Sequence, residues 1–335
     1  MQTNLPLLQS AFRVGPLEIR NRIALAPMSG VTDLPFRKLA WEGGAGFVVT
    51  EMVASRELVG NTQESWSRLK NSGIDPHIVQ LAGRDPAYMA EGARIAEGHG
   101  ASAIDINMGC PAKKVIGGLS GSALMREPEL ALAIINATVK AVNVPVTVKM
   151  RLGWDDNSIN APFLAREAEA LGARMITIHG RTRMQFYEGR ADWDRIAEVR
   201  DAVRVPLIAN GDVETVEDVH EILRRSGADA VMIGRGAQGR PWHAGVLAGM
   251  RPAPGHDEIA AIFERHYKAM LDFYGVELGL RQARKHVGWY LGHHAGAVAA
   301  ETKGAILTSR DPAFVVASVR DLILAAPALR MSEAA

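Results

Sequence analysis

Val205-Pro206-Leu207-Ile208-Ala209-Asn210-Gly211-Asp212, continued after one helix-length segment by Gly227-Ala228-Asp229-Ala230-Val231-Met232-Ile233-Gly234-Arg235-Gly236, decides the fold. Each half opens on a Pro or Gly punctuator, runs through four apolar or small residues and ends in a glycine-bearing polar turn. The unit reads as strand, helix, strand. Working towards the N-terminus, the same kind of run recurs at Ile23 to Ala26, Phe47 to Thr50, Ile78 to Leu81, Ala103 to Asn107, Val146 to Lys149 and Met175 to His179. Helix signals fill the gaps, such as Asp85-Pro86 before Ala87 to His99 and Glu127-Pro128 before Glu129 to Val142. Eight alternations in about 230 residues predict a (β/α)8 TIM barrel. A doubly wound open sheet would carry a Gly-rich turn after its first strand, and Ala26-Pro27-Met28-Ser29-Gly30 is not that turn.

Beyond Arg251-Pro252-Ala253-Pro254-Gly255 the strand pattern stops and helical periodicity takes over, through Ile259 to Tyr274, Leu280 to His294 and Pro312 to Ala325. The expected organisation is a barrel over residues 1–250, a small all-α domain over 255–325 and a frayed tail over 326–335. The chain has 335 residues, 47% of them hydrophobic, which is enough for a sizeable core. No basic segment precedes an early apolar run, because the first charged residue is Arg13, and no apolar run reaches membrane-spanning length. A cytoplasmic protein without a membrane contact is expected, and nothing in the sequence calls for an obligate protein partner.

Lys+Arg (38) and Asp+Glu (37) nearly cancel, so the placement of charge matters more than its sum. Arg281 to Tyr290 holds Arg281, Arg284 and Lys285 with no acid and with two aromatics, Trp289 and Tyr290, which makes it a candidate RNA face. Cys110 is the single cysteine. It rules out an intramolecular disulfide, and with no Cys/His ligand spacing a metal site is not expected. His293-His294 reads as part of a solvated or RNA-facing helix.

In a barrel of this kind the chemistry sits at the C-terminal ends of the strands. Those ends here carry Pro27-Met28, Glu51, Gln80, Asn107 with Cys110, Lys149 with Arg151, His179 with Arg181, Asn210-Gly211-Asp212 and Gly234-Arg235-Gly236. Glu51 alone reads equally well as a satisfied buried group; eight polar strand ends together argue for a site. The last two loops, with their glycines and Arg235, have the make-up of a phosphate site. Lys149 belongs on the barrel floor, facing a bound ring, with buried Asp105 as a second possible partner. Cys110 lies between Gly109 and Pro111; an ordinary thiol pKa near 8.5 leaves it protonated and suits a proton donor.

Taken in order, Ala26-Pro27-Met28-Ser29-Gly30-Val31-Thr32-Asp33, Asp105 to Val115, Lys149-Met150-Arg151, His179-Gly180-Arg181-Thr182, Ala209-Asn210-Gly211-Asp212 and Ile233-Gly234-Arg235 resemble the tRNA-dihydrouridine synthase family. Arg281 to Tyr290 is similar to the helical domain of its bacterial B class. The resemblance implies non-covalent FMN held by Pro27, Met28, Ser29, Gln80, Lys149, His179, Asn210, Gly211, Asp212, Gly234 and Arg235, with NADPH as electron donor. It implies that Cys110 is the general acid, that Asn107, Arg151 and Arg181 meet the uracil or flavin, and that tRNA is the substrate. Lys113, Lys114, Arg281, Arg284 and Lys285 are then expected to contact the RNA. Two other readings use the same residues: a flavin barrel reducing a free small molecule, and a non-catalytic RNA-binding protein on an enzyme scaffold.

Overall fold

The computed structural model describes residues 5–112, 115 and 119–327. Ten strands are formed: β1 (Phe12–Val14), β2 (Leu17–Ile19), β3 (Ile23–Leu25), β4 (Val53–Ala54), β5 (Ile78–Ala82), β6 (Ala103–Met108), β7 (Val146–Arg151), β8 (Met175–His179), β9 (Leu207–Asn210) and β10 (Ala230–Ile233). β1 and β2 make an antiparallel hairpin, and the other eight form one parallel sheet in the order β3-β10-β9-β8-β7-β6-β5-β4. Bridges from Val48 to Leu25 and from Val49 to Ile78 join the two sides of that sheet and close the (β/α)8 barrel.

The second strand departs from its sequence reading. Phe47 to Thr50 makes single bridges, and the laddered pairing to β5 comes later, at Val53–Ala54. The Thr50 hydroxyl accepts the Gln80 N–H at 2.9 Å, so a side chain takes a bond that a regular ladder would give to a carbonyl. Glu51 then turns its carboxylate to the Gly30 N–H, which ties the segment to the loop after β3.

Residues two apart on a strand share a face, and this parity builds the site. Ala24, Ile78, Ala103, Met175, Ile208 and Ala230 belong to one buried cluster with Val14 and Ile19 of the hairpin, which plugs the N-terminal end of the barrel. One step further along the same faces stand Gln80, Asp105, Thr177 and Asn210, and one step beyond Asp105 and Thr177 come Asn107 and His179. Opposite-parity residues such as Val79, Ile104, Ile106, Val148 and Ile176 pack outward among the helices. The interior is therefore apolar below and polar above. The helices start as their sequences direct: Asp85 caps Pro86–Gly98 by accepting from Ala87 and Tyr88, and Thr215 with Asp218 forms a capping box on Val216–Ser226.

Among the described residues four helices follow the barrel, His256–Tyr274, Val276–His294, Ala300–Thr308 and Pro312–Leu324, around a second core that includes Trp242, Phe263, Tyr267, Val287, Tyr290 and Val319. They dock on helix Leu34–Glu42, where Phe36 packs against the rings of His266 and His286 at 5.6 Å each. His294 corrects the expectation for its pair. One turn beyond Tyr290 it falls on the core face of its helix, 6% exposed, with Nε2 3.0 Å from the Gly239 carbonyl. His293 is exposed.

Burial holds several histidines neutral, His266 at about 3 and His77, His243 and His294 at about 4. Folded values below the unfolded 6.5 mean that this part of the stability is complete above pH 6.5 and lost as pH falls towards 4. At pH 5 each such group costs about 2 kcal/mol. Denaturant unfolding should therefore show stability falling from pH 7 to pH 5, with a shallower fall in His266→Phe. An unchanged slope in that variant would remove His266 from the account.

Candidate active site

A cavity of about 1090 Å³ opens at the C-terminal ends of the strands. Small-ligand sites usually enclose roughly 300–1000 Å³, so there is room for a cofactor and a second ring. Pro27, Met28, Ser29, Gln80, Asn107, Cys110, Lys149, Arg151, His179, Arg181, Asn210, Gly211, Asp212, Gly234 and Arg235 all line it. Lys113 and Lys114 lie outside the described residues. Arg281 and Arg284 are exposed on helix Val276–His294, away from the lining, while Lys285 is half-buried. Its Nζ donates to Gln282 at 3.3 Å and lies 3.2 Å from where a Cβ on Gly30 would stand, close against the loop after β3.

Lys149 occupies the floor. Its one hydrogen bond among the described residues goes to Asn210 Oδ1 at 3.0 Å, and Asn210 is oriented by donating to the Met232 carbonyl at 2.7 Å. Burial lowers the ammonium to about 8, with Arg151 adding to the effect and Asp105 opposing it. It remains charged at neutral pH, with donors left for a ligand. Asp105, the other partner considered from sequence, instead accepts from Gln80 and Thr147.

Cys110 sits on the loop after β6. Its N–H donates to Asn107 Oδ1 at 3.0 Å and its carbonyl accepts from the Ser122 N–H and hydroxyl at 3.0 and 2.9 Å. Burial raises the thiol above its ordinary range, against the Ala112 N–H and the charges of Arg151 and Lys149. The sulfur is thus held protonated at neutral pH, as a proton donor must be.

Two buried arginines spend their donors on backbone. Arg151 reaches the carbonyls of Gly109, Thr182 and Phe186, each at 2.8 Å. Arg181 holds those of Glu188 and Gly189 at 3.0 and 2.7 Å and pairs with Asp212. The sequence suggested groups that meet a ligand; the structure makes both of them first of all the framework of the loops they line. His179, kept neutral chiefly by burial and then by Arg151 and Lys149, lies with Nε2 3.3 Å from Arg181.

The turn after β9 has an unusual backbone. Gly211 has φ +128° and Asp212 φ +54°, and a Cβ on Gly211 would come within 2.6 Å of the Ala191 Cβ. The Asp212 carboxylate takes Arg181 and the Ala191 N–H on one oxygen and Arg235, at 3.1 Å, on the other. Gly211, Gly234 and Gly236 line the cavity on either side of Asp212 and Arg235. Sequence reading passed over Tyr187, which lines the mouth with its ring 5.6 Å from both the Arg151 and Arg235 guanidinium carbons. An aromatic pair in an otherwise polar loop, Phe186-Tyr187, was the available signal.

Fold and site together define a (β/α)8 barrel with a polar cavity, lined by Lys149, Arg151, Arg181 and Arg235, at the C-terminal ends of its strands. The profile described as Dihydrouridine synthase (Dus) matches residues 24–317. A "Probable tRNA-dihydrouridine synthase" of Rhizobium leguminosarum bv. phaseoli is 69% identical over 301 residues, covering 90% of this chain and 95% of that protein. "tRNA-dihydrouridine synthase B" of Xanthomonas axonopodis pv. citri is 44% identical over 316 residues, covering 92% and 95%. Among solved structures, TcOYE with pHBA matches with a TM-score of 0.57 at 15% identity, over 74% of this chain and 94% of that one, a likeness of fold. The chain belongs to the dihydrouridine synthase family.

Gly211→Ala should test the turn. Forcing an L side chain to that φ costs about 1–3 kcal/mol before the contact with Ala191 is counted. The unfolding midpoint of the variant should fall accordingly; a wild-type midpoint would show that the turn relaxes freely.

Proposed function

We propose that the chain reduces uridine in tRNA to 5,6-dihydrouridine in the cytoplasm, with FMN as cofactor, NADPH as electron source and Cys110 as general acid. The observation that carries this is the only thiol of the chain, kept protonated by burial, in the same cavity as the buried Lys149 ammonium. The donor set fits FMN. Gly211, Gly234 and Gly236 leave that side of the cavity lined by backbone, and Arg235 adds a charge for a phosphate. Gln80, Lys149 and Asn210 offer an amide, an ammonium and a second amide to a polar ring edge, with Pro27, Met28 and Ser29 closing the other side.

When bound and reduced by NADPH, FMN supplies hydride to C6 of the uracil. Lys149 would present its ammonium from the floor to the polar edge of the bound ring. The Cys110 thiol gives its proton to C5, so hydride and proton together saturate the double bond. Asn107 and His179 hold the base or ring in register, and the framework built by Arg151 and Arg181 keeps the loops in place around it. The base must leave its stack to reach this depth, which is paid for by contacts elsewhere on the RNA. Arg281 and Arg284, exposed on the helical layer, provide phosphate contacts there.

Cys110→Ala should abolish dihydrouridine formation while the purified protein keeps its yellow flavin and its reduction by NADPH. Wild-type turnover in that variant would end the acid assignment, and a colourless wild-type protein that takes up no added FMN would end the flavin assignment. Arg281→Ala with Arg284→Ala should weaken tRNA binding and reduce the slope of log affinity against log salt by about 1.5, roughly 0.7–0.9 per lost contact. Lys285 is left in place because it is half-buried and lies against Gly30. An unchanged slope would move the RNA contact away from this helix.

A further inference from the structure

Asp105 is 3% exposed, lies below the cavity and has no part in the reaction as described. Its oxygens take the Thr147 hydroxyl at 2.6 Å and the Gln80 Nε2 at 2.7 Å. With its NH₂ committed downward, Gln80 turns Oε1 upward, where it accepts from Asn107 Nδ2 at 2.7 Å. Asn107 is then left with Oδ1 towards the loop after β6, and that oxygen receives the N–H groups of Gly109 and Cys110 at 3.2 and 3.0 Å. Each amide has one face that donates and one that accepts, so the orientation of the first sets the others. Both Asp105 oxygens accept in this arrangement, one from an amide and one from a hydroxyl, which fixes the lower end of the chain; two backbone N–H groups fix the upper end.

We propose that Asp105 is a positioning residue for Cys110, acting through the oriented amides of Gln80 and Asn107. Arg151 on the Gly109 carbonyl and Ser122 on the Cys110 carbonyl are separate anchors of the same loop. Loss of Asp105 therefore loosens the thiol without releasing the loop. Reversed amides would turn the Asn107 NH₂ against the Gly109 and Cys110 N–H groups and remove their shared acceptor.

Because Cys110 is the only cysteine, the rate of alkylation of the purified flavoprotein by iodoacetamide reports on this loop alone. Asp105→Leu should raise that rate by about five- to tenfold, the worth of one net hydrogen bond. Asp105→Asn, whose oxygen can accept from Gln80 while its amide donates to Thr147, should stay within about twofold of wild type. In an Asn107→Leu background, Asp105→Leu should add nothing further, since the last link is already gone. Should Asp105→Leu fail to fold, Asp105→Ser, too short to reach Gln80, carries the same comparison. A wild-type rate in the Leu or Ser variant, an Asn variant as fast as the Leu variant, or effects of Asp105 and Asn107 that multiply would each overturn the proposal. The assay does not depend on turnover, so it stands apart from the acid role of Cys110.

Discussion

One buried guanidinium holds the mouth of the barrel together. Arg151 ends β7 and is about 1% exposed, yet it binds the carbonyl before Cys110 on one side and the carbonyls of Thr182 and Phe186 on the other. Burying such a charge is costly unless its donors are satisfied, and here three backbone oxygens from two loops do so. Burial and the nearby Arg181 lower its pKa to about 10, which still leaves it charged at neutral pH. The loops after β6 and β8 cannot shift independently without breaking that arrangement. Phe186 shows the tension, held at φ +51°, where a bulky residue rarely sits.

The polar layer above Arg151's neighbours rests on strand parity rather than on loop design. Lys149 and Asn107 pair across β6 and β7, and Asp105 faces Thr147 one step below them. The site's floor is thus as rigid as the sheet itself. Its glycine turns are less forgiving than its side chains: Gly211 is fixed by its backbone angle and by Ala191, whereas Arg235 is half-exposed and can adapt.

Period-two runs and their polar ends carried most of the architecture and the membership of the cavity, because each strand end is a local feature and the barrel brings seven of the eight to its lining, Glu51 turning to the Gly30 N–H instead. What sequence could not carry was partnership. Lys149 and Asp105 share neighbouring strands, but only the register shows that Lys149 turns to Asn210 while Asp105 is claimed by Gln80 and Thr147. The family resemblance puts Arg151 and Arg181 at the ligand; their additional bonds to backbone depend on where distant loops return. Lys285 shares a helix with Arg281 and Arg284, and only the docking of that helix puts it against Gly30. The irregular strand at Phe47 to Thr50 turned on one hydroxyl.

The hairpin of β1 and β2 seals the lower end of the barrel with Val14 and Ile19 against an apolar layer. A barrel stoppered at that end leaves its polar layer to open at the other, so a pair of three-residue strands far from the site decides which end of the barrel meets a ligand.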